Sequence, residues 1–304
     1  MQVHLPIAEM SIDAEIIFLV SAFVGFLSGI FGIGGGFLTT PFLIFTGVPP
    51  GVAVGTQASQ LVASSVSGAI GHWRRANVDL KIGIVMLIGG VLGSFVGIMI
   101  FKLLQHLGQI DFAISFLYVL LLSSIGIMML GESVFSRFFK KKNVRKEFNT
   151  LQVPRFINSL PYKMRFPRSK LFISALVPGG IGFVGGILAS VLGIGGGFLL
   201  VPAMIYILGM PTLLVAGTSL FQIIFTTASA TIMHAVFNGT VDMVLAIILI
   251  IGGVIGAQIG IACARFVKAQ QARLIMAVMV LLVALQLSFN LFIEPREIFT
   301  AVLL

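Results

Sequence analysis

Long stretches without a charge dominate the pattern along this chain. Positions 16 to 73, 82 to 101, 112 to 131, 171 to 241, 243 to 264 and 274 to 293 contain no Asp, Glu, Lys or Arg. About 20 apolar residues of helix cross a hydrocarbon core, so each stretch is long enough to span a membrane. The first holds 58 residues, too many for two helices and a turn, and Gly32 to Gly36 and Pro49-Pro50-Gly51 cut it into pieces of about 16, 12 and 22. The stretch from 171 to 241 is cut the same way, by Gly193 to Gly197 and by Gly209 to Pro211. The predicted fold class is all-α integral membrane, with glycine-broken or re-entrant half-helices and about 8 to 10 membrane segments.

The parallel between these two stretches is an internal repeat. Gly32-Ile33-Gly34-Gly35-Gly36-Phe37-Leu38 recurs as Gly193-Ile194-Gly195-Gly196-Gly197-Phe198-Leu199, an offset of 161. Pro41 matches Pro202, and after one inserted residue Gly55-Thr56 matches Gly217-Thr218, Gln60 matches Gln222 and His72 matches His234. A second insertion brings Val78-Asp79 onto Val241-Asp242, Gly89-Gly90 onto Gly252-Gly253, and Gly93 and Gly97 onto Gly256 and Gly260. So many coincidences in register predict two homologous halves. The expected organisation is an extracytoplasmic tail (1–15), a first membrane repeat (16–130), a basic cytoplasmic linker (131–170), a second repeat (171–293) and a C-terminal tail (294–304).

Duplicated transporters carry their repeats either parallel or inverted, and loop charges bear on the choice. If the short piece after each glycine run returns the chain to the side it came from, each half crosses an odd number of times and the second half is inverted. Loops 74–81, 131–170 and 265–273 then share the cytoplasmic side with all but Lys102 and Arg296 of the 19 basic residues. In the parallel alternative the loop at 265–273 and Lys102 move outside. The inverted count is the cleaner, and it leaves the acidic N-terminal tail (Glu9, Asp13) outside. That tail has no Lys or Arg before the first span, so the charged start of a cleavable signal is missing and the first segment is expected to be retained.

Composition narrows the function classes. Residues are 58% hydrophobic and 10% charged, against about 25% charged in a soluble domain. The net charge of +9 would suggest nucleic acid, but 11 of the 19 basic residues fall between Arg137 and Lys170. Beside membrane spans such a cluster is a topology signal, so no nucleic-acid partner is predicted; the linker (137–170, with Lys140-Lys141-Lys142) is expected to rest on anionic membrane lipids. The single cysteine, Cys263, leaves no internal disulfide or thiolate metal cluster and reads as a small buried hydrophobe. No Ser–His–acid set, paired carboxylates or metal-ligand spacing can be assembled within the spans, which argues against an enzyme; no metal and no cofactor are predicted.

A substrate site in such a chain has to use backbone dipoles and neutral side chains. The glycine runs suit that need: irregular backbone inside a membrane is tolerated only when buried in protein or lining a cavity, and a helix starts right after each run. Its first-turn N–H groups and dipole attract anions. Candidate substrate-binding residues are therefore Gly34, Gly35, Gly36, Gly195, Gly196 and Gly197, with Gly32, Gly193, Pro41 and Pro202 as helix-break residues. Thr56, Gln57 and Gln60 lie about one turn apart, and Thr218, Ser219 and Gln222 repeat them; such side chains can donate to an oxyanion or bond between helices. The four-residue spacing of Gly89, Gly93, Gly97 and of Gly252, Gly256, Gly260 reads as close helix packing. His72 and His234 end their spans and are candidates for a gate or for proton coupling. Trp73 reads as an interface anchor.

Two copies of a Gly-Ile-Gly-Gly-Gly-Phe-Leu run, each with a proline five residues past its last glycine and a Gly-Thr helix further on, resemble the TauE/SafE sulfite exporter family, also called the toluene sulfonate uptake permease family. The resemblance covers nearly the whole chain. It implies a multi-pass transporter of the bacterial inner membrane for a small anionic substrate, such as sulfite or an organosulfonate, often working as an exporter. An anion channel, or a membrane receptor or assembly protein whose basic linker binds a partner, are the alternatives. A homo-oligomer is compatible with either. On the inverted topology, cysteines introduced beside Lys141 and Lys268 should stay unlabelled by an impermeant thiol reagent outside the cell, whereas one in the N-terminal tail should label. Labelling at 268 from outside establishes parallel repeats instead.

Overall fold

A computed structural model describes residues 2–31, 35–138, 161–263 and 269–292. Gly32 and Gly34 of the candidate site, Lys140 to Lys142 and Pro154 of the linker, Arg265 and Lys268, and the tail from 294 lie outside the described residues.

Each half has the same order of elements. The first runs β1 (Gln2–Leu5), β2 (Met10–Asp13), α1 (Ala14–Phe31), α2 (Gly36–Phe45), α3 (Pro50–Arg74), α4 (Leu80–His106) and α5 (Ile110–Phe138). The second runs β3 (Lys163–Phe166), β4 (Leu171–Ser174), α6 (Leu176–Leu192), α7 (Gly197–Tyr206), α8 (Thr212–Met233), α9 (Met243–Cys263) and α10 (Ala269–Phe292). The all-α expectation thus gains two short antiparallel hairpins, pairing Leu5 with Met10 and Phe166 with Leu171. A matched signal was present, since Leu5-Pro6 stands 161 residues before Phe166-Pro167.

Four helical stretches, Leu80–His106, Ile110–Gly131, Leu213–Asn238 and Met243–Cys263, are long and apolar enough to cross a membrane, and shorter apolar helices accompany them. α2 and α7 are only 10 residues each, about 15 Å, or half a hydrocarbon core. Prolines explain their isolation in part, because Pro41 and Pro202 offer no N–H to the carbonyl one turn back.

The chain path at each half-helix follows from its neighbours. Leu43 and Val48, at the far end of α2, pack with Leu5, Ile12 and Ile17, so α2 returns to the end of the molecule where α1 began. Leu208 and Met210, after α7, pack in the same way with Phe166 and Ile173. α3, α4 and α5 then follow in turn. At the other end, Arg168 donates to the Val78 carbonyl, and a Cβ on Gly71 would stand 3.7 Å from Ile261 of α9. The loop after α3, the second hairpin and the end of α9 therefore share one end of the molecule.

Two buried aspartates anchor this arrangement. Asp79 Oδ1 accepts from the amides of Lys81 and Ile82, capping α4, and Asp242 Oδ1 accepts from Val244 and Leu245, capping α9. Asp79 Oδ2 accepts from the amide and hydroxyl of Ser169 in the second hairpin, and Asp242 Oδ2 accepts from the Ile7 amide in the first. Each hairpin is thus tied to the opposite half. The second insertion in the repeat appears as a π-helical turn at His234–Asn238 that prolongs α8. One extra residue in a continuing helix widens a single turn.

The halves interlock through glycines. α1 lies on α9 and α6 on α4. A Cβ on Gly93 would fall 2.0 Å from the Phe183 carbonyl oxygen and one on Gly256 1.9 Å from that of Ala22. Gly180, also on α6, is different: a Cβ placed there would have no neighbouring atom within 4 Å. Gly93→Ala should lower the yield of folded protein and its melting temperature, since overpacking typically costs about 1–3 kcal/mol, while Gly180→Ala should leave both unchanged. Detergent-solubilised protein followed by size-exclusion fluorescence checks both.

Candidate functional site

The two glycine breaks meet inside the bundle. A Cβ on Gly36, the first residue of α2, would stand 2.7 Å from the Gly193 carbonyl oxygen. The rings of Phe37 and Phe198, one residue into each half-helix, stack at 4.6 Å between centroids and 10° between planes. The N-termini of α2 and α7 are thereby brought to one place, with the first-turn amides that a helix does not use internally. At the matched pair described in both breaks, Gly35 and Gly196, the backbone differs. Gly193, Gly195 and Gly196 have φ of +67°, +74° and +72°, whereas Gly35 has φ −71°. In the second half glycine is required by conformation. At Gly35 the need is for space, since a Cβ would meet Val24 Cγ1 at 2.7 Å.

Apolar groups fill the gap between the breaks. Leu61 Cδ1 would stand 2.7 Å from a Cβ on Gly36 and 2.9 Å from one on Gly195, and Ile223 Cγ2, from the matching position of α8, 3.3 Å from the latter. Tyr118, wholly buried on α5, donates to the Leu192 carbonyl at the end of α6.

The polar candidates are buried around this core and divide into two groups. Thr56 Oγ1 accepts from the Asp242 amide and Thr218 Oγ1 from the Asp79 amide, each at 2.9 Å. These two threonines bond across the halves, beside the aspartate caps. The glutamines lie deeper. Gln57 Nε2 donates to Gln60 Oε1, Gln60 Nε2 reaches Ser21 Oγ at 3.4 Å, and Gln222 Nε2 donates to Thr226 Oγ1 at 2.7 Å. Their tips occupy room left by Gly253 and Gly90, where a Cβ would meet Gln60 Nε2 at 2.2 Å and Gln222 Nε2 at 2.6 Å. Gln57 Oε1, Gln222 Oε1 and Ser65 Oγ are buried without a hydrogen-bond partner, and Thr40 Oγ1 lies by the Tyr118 hydroxyl. Buried polar atoms are normally paired, so the first three mark where water or a ligand would bond. Ser219 donates to the Ala216 carbonyl on its own helix. Among the described residues no three His, Cys, Asp or Glu side chains stand close enough to hold a metal ion.

The histidines are not equivalent. His234 is wholly enclosed rather than exposed at a rim: its Nε2 donates to the Ser190 carbonyl at 2.7 Å, Asn238 Nδ2 donates to its Nδ1 at 3.1 Å, and Phe101 lies edge-on. His72 is half-buried with its Nδ1 unpaired, and the neighbouring Trp73 is exposed. Cys263 is half-buried.

A family model described as sulfite exporter TauE/SafE matches residues 17–287. The chain belongs to the TauE/SafE family. It is 26% identical to the probable membrane transporter protein YunE of Bacillus subtilis, over 90% of this chain and 97% of that protein. It is 30% identical to YjnA of the same organism, over 89% and 98%, and 29% identical to a probable membrane transporter protein of Xylella fastidiosa, over 83% and 85%. No solved structure matches. As a TauE/SafE protein with several membrane-capable helices, the chain is a multi-pass membrane protein of a transporter family.

Sequence reading of this TauE/SafE chain missed Asp79 and Asp242, although Val-Asp ahead of a helix in both halves was a legible cap signal. It also missed Thr40, Ser65, Ser21 and Tyr118, single polar residues in apolar runs whose neighbours come from distant segments. The backbone difference between the breaks has a measurable consequence. Gly196→Ala forces an L residue into left-handed backbone at about 1–2 kcal/mol and sets its Cβ 2.7 Å from the Gly185 carbonyl oxygen. It should therefore lower the melting temperature more than Gly35→Ala, whose Cβ meets a side chain. An equal loss at both positions would contradict this account.

Proposed function

We propose that this protein is a secondary transporter of small sulfur-containing oxyanions or organosulfonates, working as an exporter across a bacterial inner membrane by alternating access of two inverted repeats. The observation that carries the reading is the meeting of the two broken helices, with Gly36 against the Gly193 carbonyl and Phe37 stacked on Phe198. Each helix N-terminus offers about half a positive charge, so two together compensate about one negative charge in a low-dielectric site. A monoanion, or a dianion carried with a proton or cation, fits that field. The hydroxyls of Thr40 and Ser65 and the amides of Gln57 and Gln222 supply polar partners from the surrounding helices.

Inversion is supported by the return of α2 and α7 to the ends where α1 and α6 start, which leaves α3, α4 and α5 as an odd number of crossings. The end bearing Arg74, Arg75 and Arg168 is then cytoplasmic by the positive-inside rule. Leu61 and the stacked phenylalanines occupy the gap between the breaks. An anion enters only when the halves shift against each other, which suits a transporter rather than an open channel.

Purified protein in proteoliposomes should take up sulfite or sulfoacetate saturably and show counterflow, and should not transport cations. Gly35→Val and Gly196→Val should each abolish uptake while the protein still inserts. Non-saturating flux without counterflow would mark a channel. Sulfite binding unchanged in both valine variants would return the glycines to a packing role.

A further inference from the structure

Asp79 and Asp242 cap their helices alike and bond the matched threonines, but the matched histidines make different contacts. Around His234, the matched set is closed: Nε2 donates to the Ser190 carbonyl, Ser94 Oγ reaches the Thr226 carbonyl at 3.4 Å, and Thr226 Oγ1 bonds the Gln222 carbonyl and side chain. By the repeat register, His72, Gly29, Ser64 and Ala257 stand where His234, Ser190, Thr226 and Ser94 stand. There the structure has a cavity instead. Ser28, Gly29, Ser64, Gly68, His72 and Ala257 are among the residues that line about 10 Å³ of room for a water's centre, about one water's worth. His72 Nδ1 has no partner, and Gly29 carries no side chain to shield its carbonyl.

We infer that this one-water cavity marks where the access path opens at the end bearing Arg74 and Arg75 when the halves shift, and that His72 is its gate, closing by donation to the Gly29 carbonyl as His234 already donates to that of Ser190. The inference rests on the alternating-access reading. The two gates are unequal in strength. Asn238 and Thr240 both bond Nδ1 of His234, and the extra residue of the π turn places them there. The turn after His72, one residue shorter, has Arg75 and Asn77 where the second half has Asn238 and Thr240, and neither bonds Nδ1 of His72. The His234 side is therefore the one held shut at rest, and the His72 side opens first.

The chain's one cysteine is first replaced (Cys263→Ser), and Ser64→Cys and Thr226→Cys are introduced separately. In proteoliposomes, a small impermeant thiol reagent applied at the Arg74 end should modify Ser64→Cys at least tenfold faster than it modifies Thr226→Cys from either end. Adding His234→Ala should raise the reactivity of Thr226→Cys from the opposite end. Equal rates at 64 and 226 in protein that transports sulfite would overturn the gate assignment and leave the transport reading standing. A tenfold difference in protein that moves no sulfur oxyanion would support the gates and sink the substrate class.

Discussion

The close approach of backbones between the two halves is the constraint on which the rest depends. In lipid there is no hydrophobic force to drive one apolar helix onto another, so contact rests on van der Waals packing between small residues. α1 meets α9, and α6 meets α4, at distances that leave no room for a methyl group at Gly25, Gly29, Gly89, Gly93, Gly182, Gly186, Gly256 or Gly260. Because each of these pairs takes one helix from either half, neither half completes its own wall. The glycine breaks at the ends of α1 and α6 come face to face as a result. The pairs Gly89-Gly90 and Gly252-Gly253 divide the work. The first glycine of each receives a neighbouring backbone and the second receives a glutamine tip.

Polar groups in such a core have few partners to choose from, and their placement shows which contacts are structural. Asp79 and Asp242 are buried, yet each carboxylate accepts several N–H or O–H bonds, the condition for keeping such a group out of water. Their bonds reach the opposite hairpin, while Thr56 and Thr218 tie the same junctions from the opposite helix. The ends of the molecule are therefore cross-braced alike in both halves. Gln57, Gln222 and Ser65 keep buried atoms unpaired. This contrast separates a rigid rim from an interior whose hydrogen bonding is incomplete.

Symmetry holds where the two halves fit together and lapses at the glycine breaks and the histidines. The hairpins recur in place, the aspartate caps recur with their threonine partners, and Gly89, Gly90, Gly93 and Gly97 recur as Gly252, Gly253, Gly256 and Gly260. The left-handed backbone of Gly196, the enclosure of His234 and the buried Tyr118 do not. On the proposed alternating-access reading this inequality is expected, because the same contact cannot be closed on both faces at once.

The membrane class, the repeated motifs, the breaks and the packing role of the spaced glycines are legible along the chain, since each is written in local composition or in spacing. Charge-free length reports a span, and adjacent glycines report a broken helix, whatever surrounds them. The Arg168 contact with Val78 and the nearness of Ile261 to Gly71 put the loop after α3, the second hairpin and the end of α9 at one end of the molecule. Only the tertiary structure decided that Thr56 and Thr218 bond to backbone while the glutamines stay partly unpaired, that Leu61 stands between the breaks, and that His234 is enclosed while His72 borders a cavity. Those outcomes depend on which atoms arrive from segments some 40 to 190 residues away. A side chain's own type and spacing say what it is able to bond, and the packing of distant helices decides what is within reach.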